Sequence, residues 1–302
     1  MKKTLFLLLA VVAWVCVSAA GNYIDKTLVL LPGDSSLKFN WILPPQGKGG
    51  EGLSFRMGNK GGAWFGSNGK NVMSLKDGFS IGLKDPFDDF MVNSSGLPVF
   101  VSKDYLCIMT PVSGKKLGST ELSFQPLAKL PAGNCRLYPA GKGMLYISGT
   151  GAGTGNSEVY TAGGENGTLK VEGKGKAFLY TKIFSTEKRI SALAGDGKDT
   201  FVAIGKLVIK TGAGKAEGFF VHPKSDITGL AYDPAAGLFY CTEKGVGYAS
   251  KDGSLEFLRV SKPAIAVSGG KLYIYLQDDN GLLEISNIKE FSGFVSKQGV
   301  KK

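Results

Sequence analysis

Short apolar and aromatic runs recur along the chain, each cut off by glycine, asparagine or aspartate: LSFRM, AWFGS, PVFVS, YLCIM, LYIS, EVYTA, FLYTKIF, FVAIG, LFYCT and LYIYL. Beyond the first twenty residues almost nothing repeats at helical spacing. Runs of this length, rich in β-branched and aromatic residues and bounded by turn formers, predict many short antiparallel strands. Glycine supplies 44 of the 302 residues, which suits tight turns and works against helix interiors.

The strands fall into a longer period. Ile190 opens ISALAGDGKDTFVAIG, and Ile227 opens ITGLAYDPAAGLFYCT in the same phase. Leu193 aligns with Leu230, Ala194 with Ala231, Asp196 with Asp233, and Phe201-Val202 with Leu238-Phe239. Each copy continues into two further apolar strands, KLVIK and GFFV in one, GVGYA and LEFLRV in the other. A shorter copy, IAVSGGKLYIYLQDDNGLLEIS, follows, and its GKLYI echoes the earlier GMLYI. GAWFGSNGKNVMSLKDGFS, nearer the start, is similar to GLFYCTEKGVGYASKDGSL. A strand–turn–strand unit of about 40 residues cannot bury both faces alone, and stacking in a ring does so.

Residues 227–248, with an initial Ile, an Asp ahead of a Gly turn and an apolar-aromatic-aromatic strand, resemble the blade repeat of sensor-type and lyase-like β-propellers. SKDGSLEF resembles a shortened Asp-box turn. The resemblance implies an all-β β-propeller. Central strands near Trp64, Phe100, Tyr146, Val202, Phe239 and Tyr273 give six blades, with seven or a sandwich or β-helix as alternatives. The last copy ends near Ile285 after three strands, so the early strand Leu37–Leu43 is expected to complete that blade and close the ring.

The first residues read differently. Lys2 and Lys3 precede the apolar run Leu5–Val17, and the small residues Ser18-Ala19-Ala20 follow, the layout of a secretory signal peptide. The run is shorter than the roughly 20 residues of a membrane span. The expected organisation is a leader over 1–20, a single propeller domain over 21–295 and a polar tail over 296–302. An exported product, periplasmic or extracellular, follows from that, with no integral membrane segment once the leader is gone.

The formal charge of +11 rests on scattered lysines; Arg56, Arg136, Arg189 and Arg259 are the only arginines. Specific nucleic-acid readers lean on arginine forks, so no nucleic-acid partner is expected. A solvated basic surface suffices, with weak attraction to anionic surfaces as the alternative. Cys107, Cys135 and Cys241 remain after the leader. Cys241 is expected as a buried free thiol, and Cys107 with Cys135 as the pair if a disulfide forms.

Candidate chemistry is thin. His222, the only histidine, follows an apolar strand beside a proline and is expected in a surface loop, which leaves no Ser-His-Asp or Cys-His site. Residues 149–176 match neither glycine-rich phosphate motif and read as long inter-strand loops. Asp278-Asp279-Asn280-Gly281 lacks the glutamate of a calcium loop and reads as a hairpin turn. Asp85, Asp88 and Asp89 read as a proline-containing turn rather than a metal site. Asn93-Ser94-Ser95 and Asn166-Gly167-Thr168 are formal glycosylation sequons.

No catalytic, cofactor-binding or metal-binding residue is assigned, and the cofactor stays unknown. Trp41, Trp64 and Tyr232 are candidate contacts near a pore, or core. The leading expectation is a non-enzymatic binding or scaffold module for a protein or glycan partner. The alternative is a metal-assisted hydrolase or lyase with carboxylates lining the pore. Six-bladed lactonase-like propellers supply that architecture, but their Glu, Asn and Asp metal ligands have no residue-by-residue match in this chain. Sialidase chemistry would need an arginine triad that four dispersed arginines do not offer.

Overall fold

The computed structural model describes residues 37–298, apart from 48–51, 59–60, 68, 77, 94–95, 112–120, 141–144, 163–179, 213–214 and 252. The expected leader, Cys16, both sequons in part or whole, and most of the 149–176 loop lie outside the described residues.

Among the described residues, twenty-four strands form six four-stranded units. Unit 1 holds β2 (Leu53–Met57), β3 (Ala63–Ser67), β4 (Asn71–Ser74) and β5 (Phe79–Leu83). Unit 2 holds β6 (Asp89–Val92), β7 (Pro98–Ser102), β8 (Tyr105–Pro111) and β9 (Glu121–Lys129). Unit 3 holds β10 (Gly133–Pro139), β11 (Leu145–Thr150), β12 (Ser157–Ala162) and β13 (Tyr180–Thr186). Unit 4 holds β14 (Ala192–Gly195), β15 (Thr200–Ile204), β16 (Leu207–Gly212) and β17 (Lys215–Val221). Unit 5 holds β18 (Ile227–Asp233), β19 (Gly237–Thr242), β20 (Gly245–Ser250) and β21 (Gly253–Leu258). Unit 6 holds β22 (Pro263–Ser268), β23 (Lys271–Leu276), β24 (Gly281–Ser286) and, from the other end of the chain, β1 (Lys38–Leu43).

Pairing within each unit is antiparallel. Units 1 and 2 are also joined at their outer edges, where β5 meets β9 in parallel through Gly82–Glu121 and Leu83–Leu122. β1 pairs with β24 from Lys38–Ser286 to Leu43–Leu282, so the first described strand completes the last unit as expected. The six anticipated central strands are the second strands of the six units.

Six hydrophobic clusters hold the units face to face, one between each successive pair. Trp64, Val72, Phe90 and Phe100 fill the gap between units 1 and 2. Met91, Val101, Leu137 and Ile147 do so for units 2 and 3, and Tyr146, Val159, Leu193 and Val202 for units 3 and 4. Phe201, Val208, Leu238 and Tyr240 join units 4 and 5, and Phe239, Tyr248, Ile274 and Leu283 join units 5 and 6. Phe55, Phe65, Tyr273 and Tyr275 connect unit 6 back to unit 1. The strands β2, β6, β10, β14, β18 and β22 neighbour one another in that order and return to β2. That closed arrangement is a β-propeller: every sheet packs both faces against neighbours, and the inner edges stay short and ringed by one another.

A helix that the strand pattern did not predict ends the described residues. Helix α1 (Phe291–Gln298) follows a 3-10 turn at Ile288–Glu290. It drives Phe291 into the ring cluster of Phe239, Tyr248 and Phe257, at centroid distances of 5.2, 5.7 and 4.7 Å.

One expectation about a side chain is corrected, and the cysteine state left open above is reported. His222 follows β17 in a connecting loop, but it is buried, not on the surface. Its Nδ1 accepts the Ser225 N–H at 2.9 Å, and its ring packs 5.6 Å from Tyr240. Tying down the turn into β18 is what draws it inward. Cys107 and Cys135 are not paired: all three described cysteines are free and buried. Cys107 packs between units 1 and 2 and Cys135 between units 2 and 3, on opposite faces of the second sheet.

Candidate functional site at the channel mouth

Within each unit the strands step from innermost to outermost and alternate in direction along the ring axis, so the starts of all six inner strands lie on one face, with the connections between units. Strand register identifies equivalent positions there. Ser54 faces Gly66, Arg136 faces Ser148, Gly229 faces Cys241 and Ala264 faces Tyr275. Asp88 and Ser191 fill the same level one residue ahead of β6 and β14; their backbone N–H groups donate to Val101 O and Ala203 O at 2.8 and 2.9 Å. Thr228 sits in a register shift beside Gly229. Ser54, Asp88, Arg136 and Thr228 are exposed and Ser191 is half-buried. These positions form a polar mouth at one end of the ring; by strand parity Asp88 lies with Phe90 on the side of unit 2 facing unit 1, and Arg136 with Tyr138 on the side of unit 3 facing unit 4.

Asp88 is held in place. Its Oδ2 accepts the Lys103 N–H at 3.0 Å from the β7–β8 turn, where Lys103 has a left-handed backbone (φ 55°). Its Oδ1 has no partner among the described residues.

One level deeper the equivalent positions are Arg56, Phe90, Tyr138, Leu193, Ala231 and Ala266, facing Trp64, Phe100, Tyr146, Val202, Phe239 and Tyr273. Asp89 ties three units together here. It is 5% exposed; Oδ1 meets Arg56 Nη2 at 2.6 Å and Oδ2 accepts the Leu137 N–H at 2.8 Å. Arg56 also donates from Nε to Phe90 O at 2.8 Å and from Nη1 to Phe55 O at 2.9 Å. Both charges are spent on each other and on backbone, so neither is available to a ligand. Units 1 and 2 approach closely at Gly66, where an added Cβ would lie 2.6 Å from the Phe90 ring. Burial raises the Tyr138 hydroxyl above its ordinary value, and the Asp89 charge adds to this.

The residues singled out from the sequence divide across the molecule. Trp64 is core between units 1 and 2. Trp41 lies on the outermost strand of unit 6, away from the channel. Tyr232 is the penultimate residue of β18, near the far face, 4.8 Å from the Phe201 ring; burial and the charges of Asp196, Asp199 and Asp233 push its hydroxyl up to about 12. Asp196 and Asp233, the repeated aspartates, each accept N–H groups of their own turns, Asp199 N at 2.9 Å in one and Ala236 N at 2.9 Å in the other. Of the KDPFDDF aspartates, Asp88 comes to the mouth and Asp89 to the staple below it. Asp278–Gly281 forms the β23–β24 hairpin, with Asn280 left-handed (φ 47°).

A metal does not fit this donor set. The mouth register contributes a single carboxylate, and among the described residues no three His, Cys, Asp or Glu side chains converge to hold an ion.

No family model matches the chain, and no curated protein matches it in sequence. Solved structures do match in fold. A gluconolactonase from Xanthomonas campestris superposes with a TM-score of 0.55 at 11% identity, over 86% of this chain and 94% of its own. The PQQ-bound aldose sugar dehydrogenase from Streptomyces coelicolor gives 0.53 at 13%, over 83% and 98%. Regucalcin, a calcium-binding protein from Agrobacterium tumefaciens, gives 0.52 at 16%, over 80% and 90%. The chain is therefore a β-propeller repeat protein whose structural neighbours include gluconolactonase-type propellers. The expectation of a non-enzymatic binding or scaffold module is corrected by these neighbours, which carry the names of hydrolases and dehydrogenases. Their similarity bears on architecture, since at such identities site residues do not carry over.

Proposed function

We propose that the protein is a hydrolase that opens a small sugar-derived ester, a lactone, at the channel mouth. The observation that carries this reading is Asp88, exposed at the start of β6 and held through Oδ2 by the Lys103 N–H, with the Ser54 hydroxyl on the side of unit 1 that faces it. Gluconolactonase among the structural neighbours supports the reaction class. The earlier protein-or-glycan partner narrows to a small glycan-derived substrate.

The chemistry uses the chain's own groups. Water attacks the lactone carbonyl while the Asp88 carboxylate takes its proton. Negative charge grows on the carbonyl oxygen, where the Ser54 hydroxyl, on the side of unit 1 that faces Asp88, donates to it. Collapse breaks the ring C–O bond, and the leaving alkoxide recovers the proton from Asp88. The product is a hydroxy acid, and no step passes through a metal.

We place this activity outside the cytoplasm. The basic, apolar and small-residue segments of residues 1–20 support removal of a leader ahead of one domain over 21–295 with a tail over 296–302. Among the described residues no helix is long and apolar enough to cross a membrane.

A pH-stat assay of the chain starting at Gly21 tests the reaction, with glucono-lactone as substrate and uncatalysed opening subtracted. Asp88→Asn should lower kcat about 100-fold or more. Wild-type protein no faster than buffer, or an Asp88→Asn variant as fast as wild type, would count against the hydrolase. Aldose oxidation in place of lactone opening would assign the chain to the dehydrogenase class instead.

A further inference from the structure

The loop that delivers Asp88 to the mouth, residues 84–88, is tied to β9, to the β3–β4 turn and to β7 with its turn. The Lys84 N–H donates to Leu122 O at 3.1 Å, the Phe87 N–H to Gly69 O at 2.6 Å and the Asp88 N–H to Val101 O at 2.8 Å. The Ser102 hydroxyl donates to Pro86 O at 2.9 Å, and the Lys103 N–H to Asp88 Oδ2 at 3.0 Å. Lys103 opens the two-residue turn between β7 and β8 with a left-handed backbone (φ 55°) that side chains other than glycine seldom adopt. Unit 4 makes the equivalent turn between β15 and β16 with Gly205 (φ 57°), the residue suited to it. Unit 5 makes its two-residue turn at Glu243 and Lys244 without any left-handed residue. Hairpin length therefore does not force the strain at Lys103. What the strained turn achieves in unit 2 is an N–H aimed at the Asp88 carboxylate.

We infer that Lys103 is a positioning residue for the hydrolysis proposed above, acting through its main-chain N–H and not through its ammonium. The N–H fixes Oδ2; Oδ1, which has no partner among the described residues, is the oxygen left to take the proton from water. A carboxylate free to turn about its own bond presents either oxygen in many directions. One pinned through Oδ2 keeps Oδ1 in a single orientation, which is the part of the barrier that positioning lowers. This role rests on Asp88 being the base, and it assigns both the reacting oxygen and the group that aims it.

A backbone ester in place of the residue-103 amide, with the lysine side chain kept, deletes the N–H alone and tests the role in the chain starting at Gly21. In the lactone assay it should lower kcat about 10-fold or more while KM stays within about twofold. The same ester at Lys244, whose N–H donates to Thr242 Oγ1 at 3.2 Å in the matching turn of unit 5, should leave kcat unchanged. Lys103→Gly keeps the N–H, takes the left-handed backbone without strain and loses only the ammonium, so it should retain kcat. Hydrogen exchange read by NMR is independent of turnover: the Lys103 amide should be protected in the native protein and exchange about 10-fold faster or more in Asp88→Ala. A residue-103 ester as active as wild type, a Lys244 ester equally impaired, a Lys103→Gly variant that loses kcat, or an unprotected Lys103 amide would each overturn the role. Lactone opening that survives the residue-103 ester would sink only this role. No lactone opening in wild type, beside a Lys103 amide whose protection depends on Asp88, would sink the hydrolase reading and keep Lys103 as the residue that fixes Asp88.

Discussion

At the level of single residues, burial decides what each reactive group can do. The thiols illustrate this. Cys135 donates to Ala132 O at 3.0 Å and burial pushes it up to about 11; Cys241 is pushed up to about 12 by the same cause. A thiol that stays protonated is neither nucleophile nor easy target. Native protein at pH 8 should therefore show no fast-labelling cysteine, and all three should react once guanidinium unfolds it; two rapidly labelled thiols in the native state would contradict their placement. The sign of the pH effect follows. Unfolded thiols ionise near 9, folded ones only at about 11 to 12, so the unfolded state loses protons first and stability falls as pH rises above about 9. The sequence anticipated Cys241 as a buried thiol, since it lies inside LFYCT. For Cys107 and Cys135 it named only the pair to form if a disulfide did, because adjacency of units does not say which face of the shared sheet a side chain occupies. The same parity hid the Asp89 staple, whose partners Arg56 and Leu137 are far away in the chain. His222 misled for a related reason: a proline beside it marks a turn, and only the fold shows that Phe220 and Tyr240 enclose the ring.

At the level of elements, strands were legible because their apolar alternation and glycine punctuation are local. The second strands of the repeat were the clearest, as they are buried on both faces: Phe100, Tyr146, Val202 and Phe239 have essentially no exposed surface. The mouth was not legible. It depends on which residue of one inner strand stands level with which residue of the next, and register shifts at Gly133–Arg136 and Ile227–Gly229 displace that alignment. Helix α1 was missed because eight residues give too short a stretch for helical periodicity to register. Its anchor is Phe291, fully buried among three rings of unit 5. Phe291→Ala should cost about 3–5 kcal/mol and lower the urea midpoint. A midpoint equal to wild type would show that the helix is an ornament on the fold and not part of its closure.

On the scale of the whole molecule, the channel mouth exists because the ring closes, and β1 closes it. Without β1, β24 would expose an unpaired edge, and Phe39 and Trp41 would leave the cluster between units 5 and 6. The mouth brings together residues from separate units, so an open or solenoid arrangement would disperse it. Chain-end pairing can be trapped directly, because every described native cysteine is buried and silent. Lys38 and Ser286 are cross-strand partners at the accessible end of the β1–β24 ladder. In Lys38→Cys/Ser286→Cys protein, mild oxidation should give a disulfide within one chain, seen by peptide mass mapping, and a higher unfolding midpoint. A double variant that stays reduced, or that links one chain to another while remaining folded, would contradict closure of the propeller by its first strand.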